Sequence, residues 1–399
     1  MNGSREHEGR DLSIDLVRGA VMILMVIDHV RVFAGVPAGG ADPAIFFTRW
    51  VTHFCAPAFV FLAGTSAFLY ARKHDDLPRF LLTRGLWLIV LDLTVMRLAW
   101  TFNFDFAHHG MAGVLWVIGW SLIALAGLSR LPLAVVAGFG ALVVGAHNLL
   151  DGRVAALLAA SEAALVPALW KLLYLGFFAG PIEFAGPGSA FWVLYSFVPW
   201  VGVMALGYAF GAIILRPSAE RTRLCLALGL GATASFVVLR AFDLYGDPST
   251  FHGLAAGNGG RSLPPLLAFL NTAKYPASLQ FLLMTLGPML ALLPLLTHAR
   301  GALARAIALF GRVPFFFYLL HIPLAHALAL VVSKVRLGAV DPWLFTNHPM
   351  ANPPAPEGYR WTLPLLYAIW AVVLVILYFA CRWFAEVKRR RTEWWLRYL

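Results

Sequence analysis

Charge is what this sequence has least of. Only 13% of its 399 residues are Asp, Glu, Lys or Arg, against 60% hydrophobic, and the mean hydropathy is +0.75. Soluble globular domains carry roughly a quarter charged residues, so that class is excluded and the chain reads as a polytopic membrane protein. Cysteine is scarce too. Cys55, Cys225 and Cys381 are odd in number and lie inside apolar runs, which argues against a disulfide framework and for packing roles. No GxSxG elbow, P-loop or strand-to-helix GxGxxG occurs, which removes the common serine-hydrolase and nucleotide-binding chemistries. Neither HExxH nor a Cys/His ligand spacing is present, and no metal is expected. The first apolar run is too long, and lacks the small-residue cleavage pattern, for a removable signal peptide; it is expected to stay as the first membrane helix.

What is present is a series of apolar runs of the roughly 20 residues that a bilayer crossing needs. They predict an all-α bundle of about ten helices near 12–34, 46–70, 80–100, 111–128, 131–149, 190–213, 224–242, 275–297, 314–334 and 361–383. A segment 1–11 precedes this 12–383 domain and a basic tail 384–399 follows it, both cytoplasmic. Residues 154–180 are interrupted by Glu162, Pro167 and Lys171 and read as interfacial or re-entrant; a span there would make eleven.

The net charge of +11 tests this layout independently. Such a surplus suits nucleic acid or the cytoplasmic ends of membrane helices. With the N-terminus inside, nineteen Lys and Arg fall on inner segments, among them Arg5, Arg10, Arg130, Arg216, Arg300, Arg305, Arg312 and Arg397, and only seven on outer loops: Arg153, Lys171, Arg261, Lys274, Lys334, Arg336 and Arg360. That follows the positive-inside rule, leaves nucleic acid unnecessary, and fits a bacterial inner membrane, although a lysosomal membrane obeys the same logic. Lys388–Arg391, followed by Trp394 and Trp395, reads as a lipid headgroup anchor or a plain stop-transfer flank.

Ionisable groups inside a membrane helix are costly and mark functional positions. The first helix carries Asp15, Arg18, Asp28 and His29. Eleven residues at about 100° each bring Arg18 and His29 to within roughly 20° of one face, about 16 Å apart along the axis. Arg18 offers a forked donor for phosphate or carboxylate, with Asp15 one turn earlier to orient it. His29 can take and return a proton, and Asp28 can tune it or bind substrate. The bland alternative is an Asp15–Arg18 helix clamp and a His29 bonded to a backbone carbonyl.

Other polar groups fall at the His29 level: Arg49, His53 and Pro57 at i, i+4 and i+8, then Asp92, Arg97, Arg240, Asp243, Lys274, Tyr318 and His321. His326 is about 140° around its helix from His321, so the two cannot share a cavity. Arg31, Arg49, Arg97, Arg240 and Lys274 read equally well as snorkelling cations, and His108 and His109 as solvated loop residues. The opposite half has little beyond Arg18, so the polar cavity is expected to open outward. Gly64, Ser66, Gly119, Gly207 and Gly211 suit close helix packing.

The run Ser13-Ile14-Asp15-Leu16-Val17-Arg18-Gly19, continuing to Asp28-His29, resembles the opening helix of the heparan-alpha-glucosaminide N-acetyltransferase catalytic-domain-like family, part of a wider transmembrane acyltransferase group. Further matches lie in Thr48–Ser66, Val114–Ser121, Pro199–Gly211, Lys274–Pro288 and Gly311–Pro323. The resemblance implies transfer of an acyl group, in first place acetyl, from cytosolic acyl-CoA to a sugar or glycan on the far side. Related acyltransferases place a histidine eleven residues after an arginine in the first helix, as Arg18 and His29 do. The heparan enzyme uses a histidine in the segment after that helix, whereas residues 35–46 contain none, so His29 or His53 takes its place.

On this reading the catalytic group is His29, His53 and Asp28, the base deprotonating the acceptor or carrying the acyl group itself. Donor-binding residues are Arg18 and Asp15, with Arg72, Lys73, Arg79 and Arg84 at the cytoplasmic mouth. Acceptor-binding residues are Arg49, Asp92, Arg97, Lys274, Tyr318 and His321, with Trp116 and Trp120, and also Trp50 and Trp100, as stacking platforms or an interfacial aromatic belt. Two rivals use the same polar groups: a proton-coupled transporter, against which the lack of an internal repeat counts, and a structural membrane protein. The sequence leaves the acceptor, the acyl length and the oligomeric state open, a homo-oligomer included.

Overall fold

A computed structural model describes residues 12–159, 165–257, 262–349, 354–391, 393 and 396. The sequence readings that concern Arg5, Arg10, Glu162, Arg261, Trp394, Trp395 and Arg397 lie outside the described residues.

In hydrocarbon every backbone N–H and C=O must be paired within the chain, and helices achieve this segment by segment. The described residues form α1 (Leu12–Phe33), α2 (Pro43–Trp50), α3 (Cys55–Ala71), α4 (Leu77–Leu91), α5 (Arg97–Thr101), α6 (Val114–Leu128), α7 (Leu133–Ala146), α8 (Asp151–Ala159), α9 (Leu165–Trp170), α10 (Phe197–Ile214), α11 (Ser218–Ala241), α12 (Phe251–Ala256), α13 (Pro265–Leu270), α14 (Leu279–Leu296), α15 (Ala302–Arg312), α16 (Pro314–Leu337) and α17 (Leu363–Arg390). Among them seven continuous helices are long and apolar enough to cross a membrane: Pro43–Ala71, Leu133–Val154, Phe197–Ile214, Ser218–Ala241, Leu279–Leu296, Pro314–Leu337 and Leu363–Arg390. The chain is an all-α polytopic membrane protein. α1 is also long enough, about 33 Å at 1.5 Å per residue, but carries four charged residues, Asp15, Arg18, Asp28 and Arg31. α6 is apolar and shorter.

The strands β1 (His109–Ala112) and β2 (Ala190–Val193) pair in parallel, His109 opposite Ala190, just before α6 and α10 begin. The ladder takes up backbone at 111–112 and 190–193 that hydropathy assigns to membrane helix. In the 154–180 region the helix Leu165–Leu175 covers about 16 Å, half a hydrocarbon core.

α1 runs through the middle of the bundle, packed by α3, α14, α15, α16 and α17. Its far end is pinned by bonds to backbone carbonyls: the Tyr359 hydroxyl donates to Phe33 O at 2.9 Å, and the Trp361 N–H to Ala34 O at 3.0 Å. Lower down, Trp370 Nε1 donates to Ile23 O at 2.9 Å. Helix crossings that bring backbone against backbone include α1 on α15, at Gly19 and Gly311, and α3 on α10. A Cβ at Gly64 would lie 2.1 Å from Met204 O, and one at Gly207 2.0 Å from Phe61 O, so only glycine fits at this crossing. Leu142 of α7, Leu230 of α11 and Phe379 of α17 face outward, where lipid covers them. Cys55, Cys225 and Cys381 are buried, and no disulfide joins them.

Two irregular turns shape the interior. Pro57 has no N–H to bond the His53 carbonyl four residues earlier, and just before it the chain tightens into a 3₁₀ turn, Val51–Phe54. Between α4 and α5 a π turn, Asp92–Met96, inserts an extra residue. Asp92 Oδ2 then accepts from Gly113 N at 2.6 Å and Trp116 N at 3.0 Å, satisfying amides that the start of α6 leaves open.

Candidate active site

Two cavities lie along α1, one at each end of the Arg18–His29 stripe. The larger, about 920 Å³, is lined by Asp28 and His29 of α1, Arg49 of α2, His53 of the 3₁₀ turn, Asp92 of the π turn, and Lys274 in the loop before α14. The smaller, about 340 Å³, is lined by Arg18 of α1, Ser66 and Tyr70 of α3, Arg84 of α4 and Lys388 of α17, the rest of its wall being mainly apolar. Phe59, Val114 and Tyr318 line both. The two volumes span the usual range of ligand pockets, about 300–1,000 Å³.

In the larger cavity Arg31 Nε donates to Asp28 Oδ1 at 2.7 Å and Arg31 Nη1 to Val36 O at 2.7 Å, so this arginine is committed to the end of α1. His29 Nδ1 lies 2.6 Å from His321 Nε2, and the edge of Trp100 packs on the His29 ring at 4.9 Å. His53 is 6% exposed, with Phe281 beside it at 5.4 Å. Arg49 lies over the Tyr275 ring at 5.7 Å, and Lys274 over Tyr275 and Tyr195 at 5.3 and 5.8 Å. No hydrogen bond or ion pair to another side chain engages Arg49 or Lys274 among the described residues.

The loop that presents Lys274 is built around two buried charges. Asp247 Oδ2 accepts from Ala273 N at 2.8 Å and Ser278 Oγ at 2.7 Å. Arg240 donates to the carbonyls of Phe269, Ser249, Ala268 and Asn271 at 2.5–3.0 Å. Arg240, which the sequence leaves open between a site residue and a snorkelling cation, is thus fully buried and ties loops together.

In the smaller cavity Arg18 donates to Ser66 Oγ, and its Nη1 is 3.7 Å from Asp15 Oδ1. Asp15 itself is buried at the α15 contact and off the cavity wall. Arg84 lies over Phe80 and Phe315 at 5.9 and 5.8 Å. Three cations therefore gather in one small chamber whose wall is mainly apolar.

Other expected site residues fall elsewhere. Arg72, Lys73 and Arg79 are exposed and off the wall of the smaller cavity. Arg97 is fully buried and holds the 103–109 loop, donating to His109 O at 3.2 Å, Asp105 O at 2.6 Å and Asn103 O. Trp116 packs against Trp120 and Phe191, and neither Trp116 nor Trp120 lines a cavity, whereas Trp50 and Trp100 do. His321 is fully buried behind His29 and lines neither cavity. Pro57 leaves the face it shares on paper with Arg49 and His53, because a 3₁₀ turn advances about 120° per residue rather than 100°. His108 is exposed and bonded to Asp105 at 2.7 Å. His109, read as solvated, is buried; burial and the neighbouring Arg97 charge push its imidazole down to about 4, so it is neutral at physiological pH.

Some lining residues carry no sequence signal. Tyr195 precedes α10, and Leu175, Phe177 and Phe178 follow α9, folding the 165–180 segment onto the larger cavity. Among the described residues no group of three or more His, Cys, Asp or Glu side chains assembles to hold a metal ion.

Compared with known families, residues 10–239 match the one described as heparan-alpha-glucosaminide N-acetyltransferase, catalytic, which is more than half of the chain. The chain belongs to that family. Comparison with curated proteins gives no match. Family membership makes this a transmembrane acetyltransferase in general class and implies an acetyl-CoA co-substrate. The matched stretch contains Arg18, His29, His53 and Asp92. Lys274, Tyr318 and His321 lie beyond it and reach the same place through the fold.

Proposed function

We propose that the protein moves an acetyl group from acetyl-CoA, held in the smaller cavity, to a sugar or glycan acceptor held in the larger one. The observation that carries this reading is the shared wall: two chambers of opposite ends meet at Phe59, Val114 and Tyr318, with cations in one and two imidazoles in the other. The smaller chamber suits an acyl-pantetheine arm, apolar along its length, while Arg18, Arg84 and Lys388 favour the donor's phosphates. Its volume is too small for the whole coenzyme, whose nucleotide would remain at the mouth. By the positive-inside rule the Arg18 end faces the cytoplasm, as in a bacterial inner membrane, and the His29 end faces outward.

In the larger chamber an imidazole removes the acceptor's proton as its oxygen or nitrogen attacks the acetyl carbon. General-base help of this kind is worth typically about 10²–10⁴-fold, and holding both substrates at one junction supplies a further part of the rate. Arg49, Lys274, Tyr275 and Trp50 surround the acceptor, offering charge and ring faces for a sugar.

The test is to give purified protein in lipid nanodiscs radiolabelled acetyl-CoA with a panel of amino sugars and oligosaccharides. Acceptor-dependent label transfer, lost in Arg18→Ala and His29→Ala, is expected. No transfer to any acceptor, together with uptake driven by a pH gradient in proteoliposomes without coenzyme A, would replace this reading by a transporter.

A further inference from the structure

Two imidazoles, His29 and His53, line the larger cavity, and composition and spacing do not choose between them. Their inner nitrogens differ. His53 Nδ1 is buried with no hydrogen-bond partner, whereas His29 Nδ1 is 2.6 Å from His321 Nε2. The His29 and His321 rings are tilted by only 27° with centroids 4.8 Å apart, the arrangement of an in-plane N–H···N bond. On its other edge His321 Nδ1 lies 2.6 Å from the carbonyl oxygen of Tyr318 and 3.3 Å from that of Phe317.

These contacts fix the protons. A carbonyl oxygen only accepts, so His321 Nδ1 carries a hydrogen, and in the neutral ring Nε2 is then bare. A bare Nε2 accepts, so His29 Nδ1 donates to it. Neutral His29 is left with an unprotonated Nε2, the one ring nitrogen not turned toward His321 and available to the cavity that His29 lines.

Resting on the acetyltransferase reading, we propose that His321 is a positioning residue that locks His29 in the tautomer with Nε2 free, which makes His29, not His53, the base for the acceptor. In the transfer step the acceptor's O–H or N–H bond breaks and its proton goes to His29 Nε2. The acceptor atom bonds to the acetyl carbon as the thioester C–S bond breaks, and the electron pair leaves on the coenzyme's sulfur. The hydrogen between His29 Nδ1 and His321 Nε2 lets both rings share the positive charge. The proton then passes to the thiolate, giving free coenzyme A thiol and restoring the neutral pair. The other charged or titratable groups facing this cavity are Asp28 and Arg31 on α1, Arg49 on α2, His53 on the 3₁₀ turn, Cys55 at the start of α3, Asp92 on the π turn, Tyr195, Lys274 and Tyr275 on the loops, and Tyr318 on α16. None of them is bonded to His29 Nδ1.

The experiment labels the twelve histidines with ¹⁵N and reads ring-nitrogen shifts of the full chain in nanodiscs, His29 being assigned by the signals lost in His29→Gln. Wild type is expected to show His29 protonated at Nδ1 and bare at Nε2, and His321→Leu a mixture of tautomers. In turnover, His321→Leu should lower kcat about 10²-fold with the acceptor KM within about threefold, and should move the acidic limb of the pH profile. His321→Gln places an acceptor oxygen near the lost Nε2 and should recover to within about tenfold of wild type. A wild-type His29 protonated at Nε2 overturns the proposal. So does a His321→Leu protein with unchanged melting and elution that turns over within about threefold of wild type. If wild type transfers no acetyl group at all, the acetyltransferase reading fails, and the tautomer measurement still decides the His321 assignment by itself.

Discussion

At the scale of single residues, Lys274 is the most informative cation in the larger cavity. It is 7% exposed, and rings rather than carboxylates surround its ammonium. The Asp28 carboxylate acts on it through space. An ammonium withdrawn from water with no side-chain acceptor in hydrogen-bond reach is nevertheless costly, and a site keeps one where a ligand supplies the missing acceptors. Lys274→Met should therefore raise the acceptor KM about tenfold or more with the donor KM unchanged, since a charged hydrogen bond is worth about 1.5–3 kcal/mol. Steady-state kinetics with each substrate varied checks this, and an unaltered acceptor KM would take Lys274 out of the acceptor site. At this scale the first helix was the most legible part of the chain. The 100° rule puts Arg18 and His29 on one face, and they line neighbouring cavities. The surroundings of Arg97, Arg240 and His321 are not legible, because sequence shows a charge or an imidazole but not which backbone carbonyls surround it.

At the scale of elements, the small-residue stripe was legible and its consequence is mechanical. At the α3–α10 crossing Gly207 faces the Phe61 carbonyl and Gly64 the Met204 carbonyl, so backbone meets backbone with no side chain to give way. Gly207→Val should destabilise the bundle by about 1–3 kcal/mol or more, the usual cost of overpacking, and lower the melting temperature of detergent-solubilised protein by several degrees. A melt within one degree of wild type would mean that the crossing is loose. The 3₁₀ and π turns were not legible: Pro57 signals a disturbance, but its size depends on how neighbouring helices pack. Nor was α15, an eleven-residue amphipathic helix too short for a membrane window, although it packs along α1.

At the scale of the whole molecule, hydropathy made the class of fold plain, because in lipid the backbone has few alternatives to the helix. What it could not give is the return of the 165–180 segment onto the larger cavity, since apolar residues that line a chamber and those that face lipid look alike in sequence. On the proposed acetyl transfer, the junction between the chambers also has to keep water from the thioester. Phe59→Ala opens one of its three walls, and acetyl-CoA hydrolysis without acceptor should rise about fivefold or more while acceptor transfer falls. Release of free thiol, followed with and without acceptor, checks this; hydrolysis at the wild-type rate would show that the seal lies elsewhere.

Lys388 belongs to the last helix, yet it stands in the same chamber wall as Arg18 from the first. α17 thus helps to close the smaller chamber, the one proposed for the coenzyme, and changes in that helix are not neutral. Lys388→Ala, or a chain stopped shortly before residue 388, would alter donor affinity more than acceptor recognition, which lies across the shared wall in the larger chamber.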